Sequence, residues 1–206
     1  MLKGVANAFR IPELRGKILF TIGILLLYRL GAYLPAPGIP FKDMIDVGEK
    51  LSAGNGAIAV LNLFSGGGLS RVSVFSLGIM PYITAQIIMQ MMQAVIPSLA
   101  EMAKEGEAGQ RKITQYTRYV TIALALINAI GYLFLLRAQG INFSQMQGVS
   151  ETLESIIVVL VLLTGAILIM WMGEVLTQRG IGNGMSLIIF VNIMAGLGPT
   201  LVREWT

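Results

Sequence analysis

The sequence contains neither cysteine nor histidine. This excludes disulfide bonds, thiolate or imidazole metal sites, histidine-ligated haem, and catalytic triads or dyads built on either residue. Charged residues are also scarce: they make up 13% of the 206 residues, against about a quarter in an ordinary soluble domain. The glycine-rich segments 106–112 and 180–184 lack the signature or the strand–turn–helix context of a nucleotide site. We therefore expect no cofactor, no metal and no enzymatic activity.

Apolar residues dominate instead, at 55% of the chain with a mean hydropathy of +0.74. These values predict a multi-pass membrane protein, and an all-α one, because the backbone in lipid must satisfy its own hydrogen bonds. A hydrocarbon core of about 30 Å needs about 20 apolar helical residues. The charge-poor windows predict a bundle of five transmembrane helices, at residues 18–34, 74–96, 119–136, 155–175 and 185–202. The first window follows basic residues as a signal sequence would, but its length and poor cleavage site favour a retained span.

The segments between these windows fall on alternate sides of the membrane. Residues 1–17, predicted as an interfacial helix, share one side with 97–118 and 176–184, and residues 35–73 and 137–154 share the other. Of the 15 Lys and Arg residues, the first side carries Lys3, Arg10, Arg15, Lys17, Lys104, Arg111, Lys112, Arg118 and Arg179, and the second carries Lys42, Lys50, Arg71, Arg137 and Arg203. The positive-inside rule predicts a cytoplasmic N-terminus and an exterior end of the chain. Arg29 lies inside the first window, where we expect its side chain to reach the exterior surface.

A short apolar segment lies between the first two windows. It is flanked by Gly54 and Gly56 on one side and by glycines 66–68 on the other. Its eight residues would make a helix of about 12 Å, less than half of the bilayer. It is either a re-entrant, movable helix or a surface helix of an exterior loop, and the sequence alone leaves both open. The residues are Ala57, Ile58, Ala59, Val60, Leu61, Asn62, Leu63 and Phe64.

One face of the second window changes character along its length. The spacings of four, three, four and three place Ile79, Ile83, Gln86, Gln90 and Gln93 on one helical stripe. Because glutamine amides facing lipid would lack partners, the stripe is expected to meet protein or water. Isoleucines near the midplane and glutamines toward the cytoplasm are typical of a polar funnel that closes on an apolar constriction.

Two further groups carry weaker signals. Ile189 and Ile193 lie four residues apart in the fifth window, which core packing would explain equally well. The methionines beside the glutamine stripe are typical of a surface that repacks around varied apolar partners, or of ordinary gap filling. They are Met89, Met91 and Met92.

Two long stretches resemble the signature sequences of the SecY family, the central subunit of the protein-conducting channel. They are residues 73–90, SVFSLGIMPYITAQIIMQ, and residues 171–189, WMGEVLTQRGIGNGMSLII. Shorter matches are residues 61–67, LNLFSGG, and, in a form similar to bacterial members, residues 104–110, KEGEAGQ, and 115–119, QYTRY. The strings are long and stand in the expected order, so the resemblance is specific. It extends over nearly the whole chain, but over the N-terminal half of the family alone.

The resemblance implies a fold and a set of site residues. SecY proteins have ten spans in two inverted five-helix halves around an hourglass pore, so this chain is expected to form one half of an inverted-repeat channel. The family's short helix after the first span is a plug, which corresponds to residues 57–64. The family's pore constriction matches Ile79, Ile83, Ile189 and Ile193. The second and third spans would form one side of a lateral gate, with Gln86, Gln90, Gln93, Met89 and Met92 on its polar and methionine-rich face.

The resemblance also implies partners and a location. A SecY-like chain is expected in the cytoplasmic membrane with SecE and SecG, together with the C-terminal half of the channel. A ribosome or SecA would drive it, through regions largely outside this chain. Signal sequences and nascent polypeptides would be its clients, passing through the pore or leaving sideways into the lipid bilayer.

Two other functions remain open from the residues themselves. The chain is also compatible with half of an inverted-repeat secondary transporter, although such transporters usually need membrane-embedded carboxylates, and Glu154 and Glu174 lie at span ends. A non-conducting scaffold subunit is the third possibility, in which the glutamines would hold helices together.

Overall fold

The computed structural model describes residues 12–37, 56–138 and 150–204. Residues 1–11 of the predicted interfacial helix therefore lie outside the described residues, as do parts of both predicted exterior segments. The described chain forms seven helices: α1 (Pro12–Tyr33), α2 (Gly56–Phe64), α3 (Met80–Val95), α4 (Pro97–Lys104), α5 (Glu107–Ala138), α6 (Glu151–Arg179) and α7 (Gly184–Glu204). Extended pairing within these residues amounts to one isolated bridge, between Pro35 and Ser73. The expectation of an all-helical membrane bundle is confirmed.

The number of spans differs from the prediction. In the described residues, α1, α5 and α6 are long and apolar enough to cross a membrane, and α3 with α4 makes a fourth candidate that bends by 102°. The apolar stretch Gly184–Gly196 of α7 is shorter than a span. Five spans are therefore not confirmed, since the second window counts as a span only when α3 and α4 are taken together and the apolar part of α7 is too short.

The second window becomes helical later than its apolar residues suggest. Ile79 is the N-cap of α3 and Pro81 stands in the first helical turn, where its missing N–H costs no intrahelical bond. Gly78, just before Ile79, has a φ of 56°. This left-handed conformation prevents α3 from extending further toward its N-terminal side. Residues 65–79 therefore form an irregular, hydrogen-bonded segment.

The helix α6 lies at the centre of the bundle. It packs against α5 on one side and against α1 and α7 on the other, while α3 packs along α5. Two clusters of buried side chains result. One joins α5, α6 and the irregular segment through Val72, Ala129, Tyr132, Leu133, Leu136, Val158 and Leu162. The other joins α1, α3, α6 and α7 through Ile24, Tyr28, Phe75, Ile79, Tyr82, Ile169, Met170, Met172, Leu176, Met185 and Ile188.

The bend between α3 and α4 is stabilised by close backbone packing. The chain turns at Ile96 between α3 and α4, and it turns again between α4 and α5 at Gly106, whose φ is 72°. Gly109 in the first turns of α5 lies so close to the carbonyl oxygen of Met102 that an added Cβ would overlap it. Through these contacts α4 packs against both α3 and α5.

Gly165 of α6 offers a direct test of how the irregular segment packs. A methyl group at Gly165 would overlap the carbonyl oxygen of Val74, whereas a methyl group at Gly23 of α1 meets nothing within 4 Å. We expect Gly165→Ala to lower the free energy of unfolding by about 2 kcal/mol or more, as overpacking does. The matched variant Gly23→Ala should be neutral or stabilise by up to about 1 kcal/mol. Thermal denaturation in detergent, followed by circular dichroism, measures both, and equal melting temperatures would contradict this packing.

Candidate functional site

Three of the isoleucines singled out by the sequence, Ile79, Ile83 and Ile189, belong to or pack against one buried cluster that also draws on α1 and α6. Ile79 is 1% exposed and belongs to the buried cluster that also contains Tyr28 and Ile188. Ile83 and Ile189 are half-buried and pack against the same cluster. Ile193 is half-buried one helical turn beyond Ile189. The spacing along each helix was visible in the sequence, but the grouping of Ile79, Ile83 and Ile189 around one cluster comes from the fold.

The short helix α2 lies against α7, the helix that carries two of these isoleucines. It occupies Gly56–Phe64, one residue longer than the predicted segment. Leu63 approaches Gly196 so closely that a Cβ there would stand 2.5 Å from the Leu63 Cδ2 atom. The absence of a side chain at Gly196 therefore lets the two helices meet.

The carboxyl end of α2 is capped by a backbone hydrogen-bond motif. The amide of Gly66 donates to the Leu63 carbonyl at 3.0 Å, and the amide of Gly67 donates to the Asn62 carbonyl at 2.9 Å. These two bonds form a Schellman motif, which requires the left-handed φ of 65° that Gly66 adopts. The Asn62 side chain also accepts the backbone amide of Ser70 at 3.1 Å, which ties the next turn back to the helix.

Side chains from two distant helices supply donors to the carbonyls at this end. The Asn192 amide on α7 donates to the Phe64 carbonyl at 2.7 Å and to the Tyr28 hydroxyl at 2.8 Å. Arg29 on α1 donates from Nη1 to the Gly66 carbonyl at 3.2 Å. The prediction that Arg29 reaches the exterior surface did not include this hydrogen bond, because only the fold brings a carbonyl 37 residues away within its range.

The irregular segment 65–79 is largely buried and much of its backbone is hydrogen-bonded, whereas the buried Ser73 Oγ atom has no hydrogen-bond partner among the described residues. The amide of Ala36 donates to the Val72 carbonyl, and that of Val74 donates to the Leu34 carbonyl, both at 2.9 Å. Tyr132 of α5 donates its hydroxyl to the Leu69 carbonyl at 2.6 Å. Non-helical backbone is tolerated at membrane depth where protein surrounds it in this way.

The glutamine stripe faces a small polar cavity between α3 and α5. Gln86 is half-buried and donates to the Tyr82 hydroxyl at 3.0 Å. The cavity has a volume of about 80 Å³, enough for a few water molecules. Its lining consists of Tyr82, Gln86, Met89, Gln90 and Gln93 from α3 and of Gln110, Ile113, Thr114 and Thr117 from α5. Met89 is 4% exposed, whereas Met91 and Met92 are 69% and 37% exposed.

An ion pair that the sequence did not reveal joins α5 to α6. Arg118 donates from Nε and Nη2 to the two carboxylate oxygens of Glu174, at 2.9 and 2.5 Å. The Glu174 side chain is 8% exposed and the Arg118 side chain 45%. Because the two residues are far apart in sequence, no local spacing predicted the pair. Asn192, by contrast, had a visible signal, since it is a single amide within an otherwise apolar run.

The comparisons with known proteins agree with the sequence signatures. The family model described as SecY matches residues 73–205. The chain belongs to the SecY family. It is 44% identical over 201 residues to the protein translocase subunit SecY of Streptomyces coelicolor, a match that covers 95% of this chain and 46% of that protein. It is 48% identical over 204 residues to the SecY subunit of Mycobacterium tuberculosis, covering 95% of this chain and 45% of that protein.

The SecY match takes in the features described above except α1 and α2. It begins in the irregular segment at Ser73 and continues through α3, α4, α5, α6 and all of α7. The chain spans about half the length of the curated SecY relatives that it matches. The predicted constriction therefore lies wholly within the region that identifies the family.

The ion pair of this SecY chain can be tested against a more exposed pair between the same helices. Glu174→Gln should lower the free energy of unfolding by about 1–3 kcal/mol, because it removes the charge that neutralises Arg118 at a site with little access to water. Glu151→Gln removes the carboxylate partner of Arg137. The Glu151 Oε1 atom lies 3.5 Å from Arg137 Nη2, and the Glu151 side chain is 74% exposed. That control should change stability by less than about 1 kcal/mol. Thermal denaturation in detergent compares the two variants, and equal losses would show that burial of Glu174 does not matter.

Proposed function

We propose that this chain is the N-terminal half of a channel subunit that conducts unfolded secretory polypeptides across the cytoplasmic membrane. In the same proposal, membrane proteins leave it sideways into lipid. Family membership supports a role as part of a translocase subunit. One geometric observation supports the step to a pore: the short helix α2 lies against α7, the helix that carries Ile189 and Ile193. A plug would lie against a helix of the constriction, and an apolar constriction closes by excluding water.

The proposal assigns roles to the residues of the site. Ile79, Ile83, Ile189 and Ile193 contribute half of the constriction, and residues 57–64 act as the plug. Gln86, Gln90, Gln93, Met89 and Met92 belong to the face that signal sequences approach on the way to lipid. The cavity between α3 and α5 supports a hydrated setting for the glutamines.

The orientation and partners follow from the same proposal. The N-terminus lies in the cytoplasm, as the distribution of Lys and Arg favours. The chain assembles with a C-terminal half, with SecE and SecG, and with a ribosome or SecA as the source of driving force. The transporter alternative is not favoured, because Glu174 is engaged by Arg118 and the relatives are translocase subunits.

A crosslinking experiment tests the route of the polypeptide. The chain is joined to the remaining part of the Mycobacterium tuberculosis SecY subunit, with any cysteines of that part replaced, and is produced in bacterial membranes. Because the chain itself has no cysteine, Ile83→Cys introduces a single thiol. We expect this thiol to crosslink to a stalled secretory chain in a signal-dependent manner. Leu168→Cys, on the outer face of α6 and 41% exposed, is the matched control and should not crosslink.

The result separates the channel from the scaffold. Crosslinking at residue 83 without crosslinking at residue 168 places the polypeptide beside the isoleucines. If the joined protein supports export while residue 83 stays uncrosslinked, the isoleucines are packing residues and the channel assignment fails.

A second experiment tests the seal. Ile83→Asn places a polar amide in the apolar cluster, which favours entry of water into the constriction. We expect greater ion leak from resting channels in vesicles and acceptance of weaker signal sequences, whereas Ile83→Leu should retain the seal. Unchanged leak in the asparagine variant would argue against a constriction at this residue.

A further inference from the structure

Side chains from two helices, α1 and α7, hold the carboxyl end of α2. Asn192 is fully buried on α7, and Tyr28, which accepts its second hydrogen bond, is fully buried on α1. Arg29, the next residue of α1, reaches the Gly66 carbonyl. The carboxyl end of α2 is therefore held where α1 and α7 approach each other.

The hydrogen bonds to the last carbonyls of α2 are of a kind that is strong while shielded from water and can still be broken. The last carbonyls of a helix lack partners within the helix. A cation near that end is favoured by the helix dipole. Hydrogen bonds shielded from water are strong, and leaving their groups buried without partners is costly. Withdrawal of α2 would break the Asn192 bond to Phe64 and expose such groups unless water enters.

Gly66 makes the convergence possible. A Cβ added at this residue would lie 2.5 Å from Asn192 Oδ1 and 2.8 Å from Arg29 Nη1. Both side chains thus occupy the space that any other residue would fill. Asn192 Oδ1 has no hydrogen-bond partner among the described residues, so the amide is held by its donor side, toward Phe64 and Tyr28.

We propose that Asn192 and Arg29 form a latch that holds α2 in its seated position and releases it when α1 and α7 move apart. The inference rests on the proposed function, since it assigns the seated α2 to the closed channel. Asn192 lies between Ile189 and Ile193 on α7, so movement of the helix that carries the constriction also pulls on the latch. Opening of the constriction and release of the plug are then one coupled event.

The test uses the joined protein in vesicles of phosphatidylethanolamine and phosphatidylglycerol. Asn192→Leu removes the amide donor at similar volume, and Arg29→Met removes the guanidinium donor while keeping an unbranched side chain. Tyr132→Phe is the matched control, because it also deletes a buried hydrogen bond to a backbone carbonyl, that of Leu69, which follows α2. Potassium leak is measured in each variant. The reaction of Leu63→Cys with a membrane-impermeant maleimide is measured in parallel and reports whether α2 is seated.

Each latch variant should raise both the leak and the labelling rate by about fivefold or more, the shift expected when a buried hydrogen bond is lost. Tyr132→Phe should change them by less than about twofold. Unchanged values in Asn192→Leu and Arg29→Met, or equal increases in Tyr132→Phe, would overturn the latch. If one latch variant fails to insert, the other decides the result.

Failure of the latch and failure of the proposed function remain distinguishable. Crosslinking of a stalled secretory chain to Ile83→Cys is measured in the same preparations. Retained crosslinking with unchanged leak and labelling rejects the latch alone. Absent crosslinking in an Ile83→Cys protein that still supports export rejects the channel assignment and the latch with it.

Discussion

The requirement that every buried backbone group find a partner governs this structure. Helices meet the requirement internally, but residues 65–79 run through the bundle without helical bonds. Their carbonyls and amides are satisfied by the extended pairing with residues 34–36 and by side chains such as Tyr132. Because these partners come from the residues that follow α1 and from α5, the irregular segment links the end of α1 to α5. The seating of α2 and the start of α3 depend on that link.

Hydropathy and charge predicted much of the fold, because crossing lipid imposes a length and a composition. The windows at 119–136 and 155–175 lie within α5 and α6, which extend beyond them at both ends. Helices can continue past the apolar window into charged residues, as α5 does from Glu107, so hydropathy alone does not fix helix ends. At 74–79 the residues are apolar but not helical, and the local indications were Gly78 and Pro81.

The candidate site was predictable where residues repeat along one helix and unpredictable where helices meet. The four-residue spacing of the isoleucines was readable, and the family signatures gave them a role. The contact of Arg29 with Gly66 and the pairing of Arg118 with Glu174 depend on tertiary structure. Polar residues within apolar windows were the usable signal for such contacts, since each needs a partner that only the fold can supply.

The sharp bend of 102° between α3 and α4 has a mechanical consequence. The connection between α3 and α4 is short. At Gly109 the backbone of α5 touches that of α4 at Met102. With α3 also packed along α5, each of the three helices packs against the other two. Because α4 has no buried residue of its own and packs against both α3 and α5, a force applied to α4 is expected to displace α3 and α5 together.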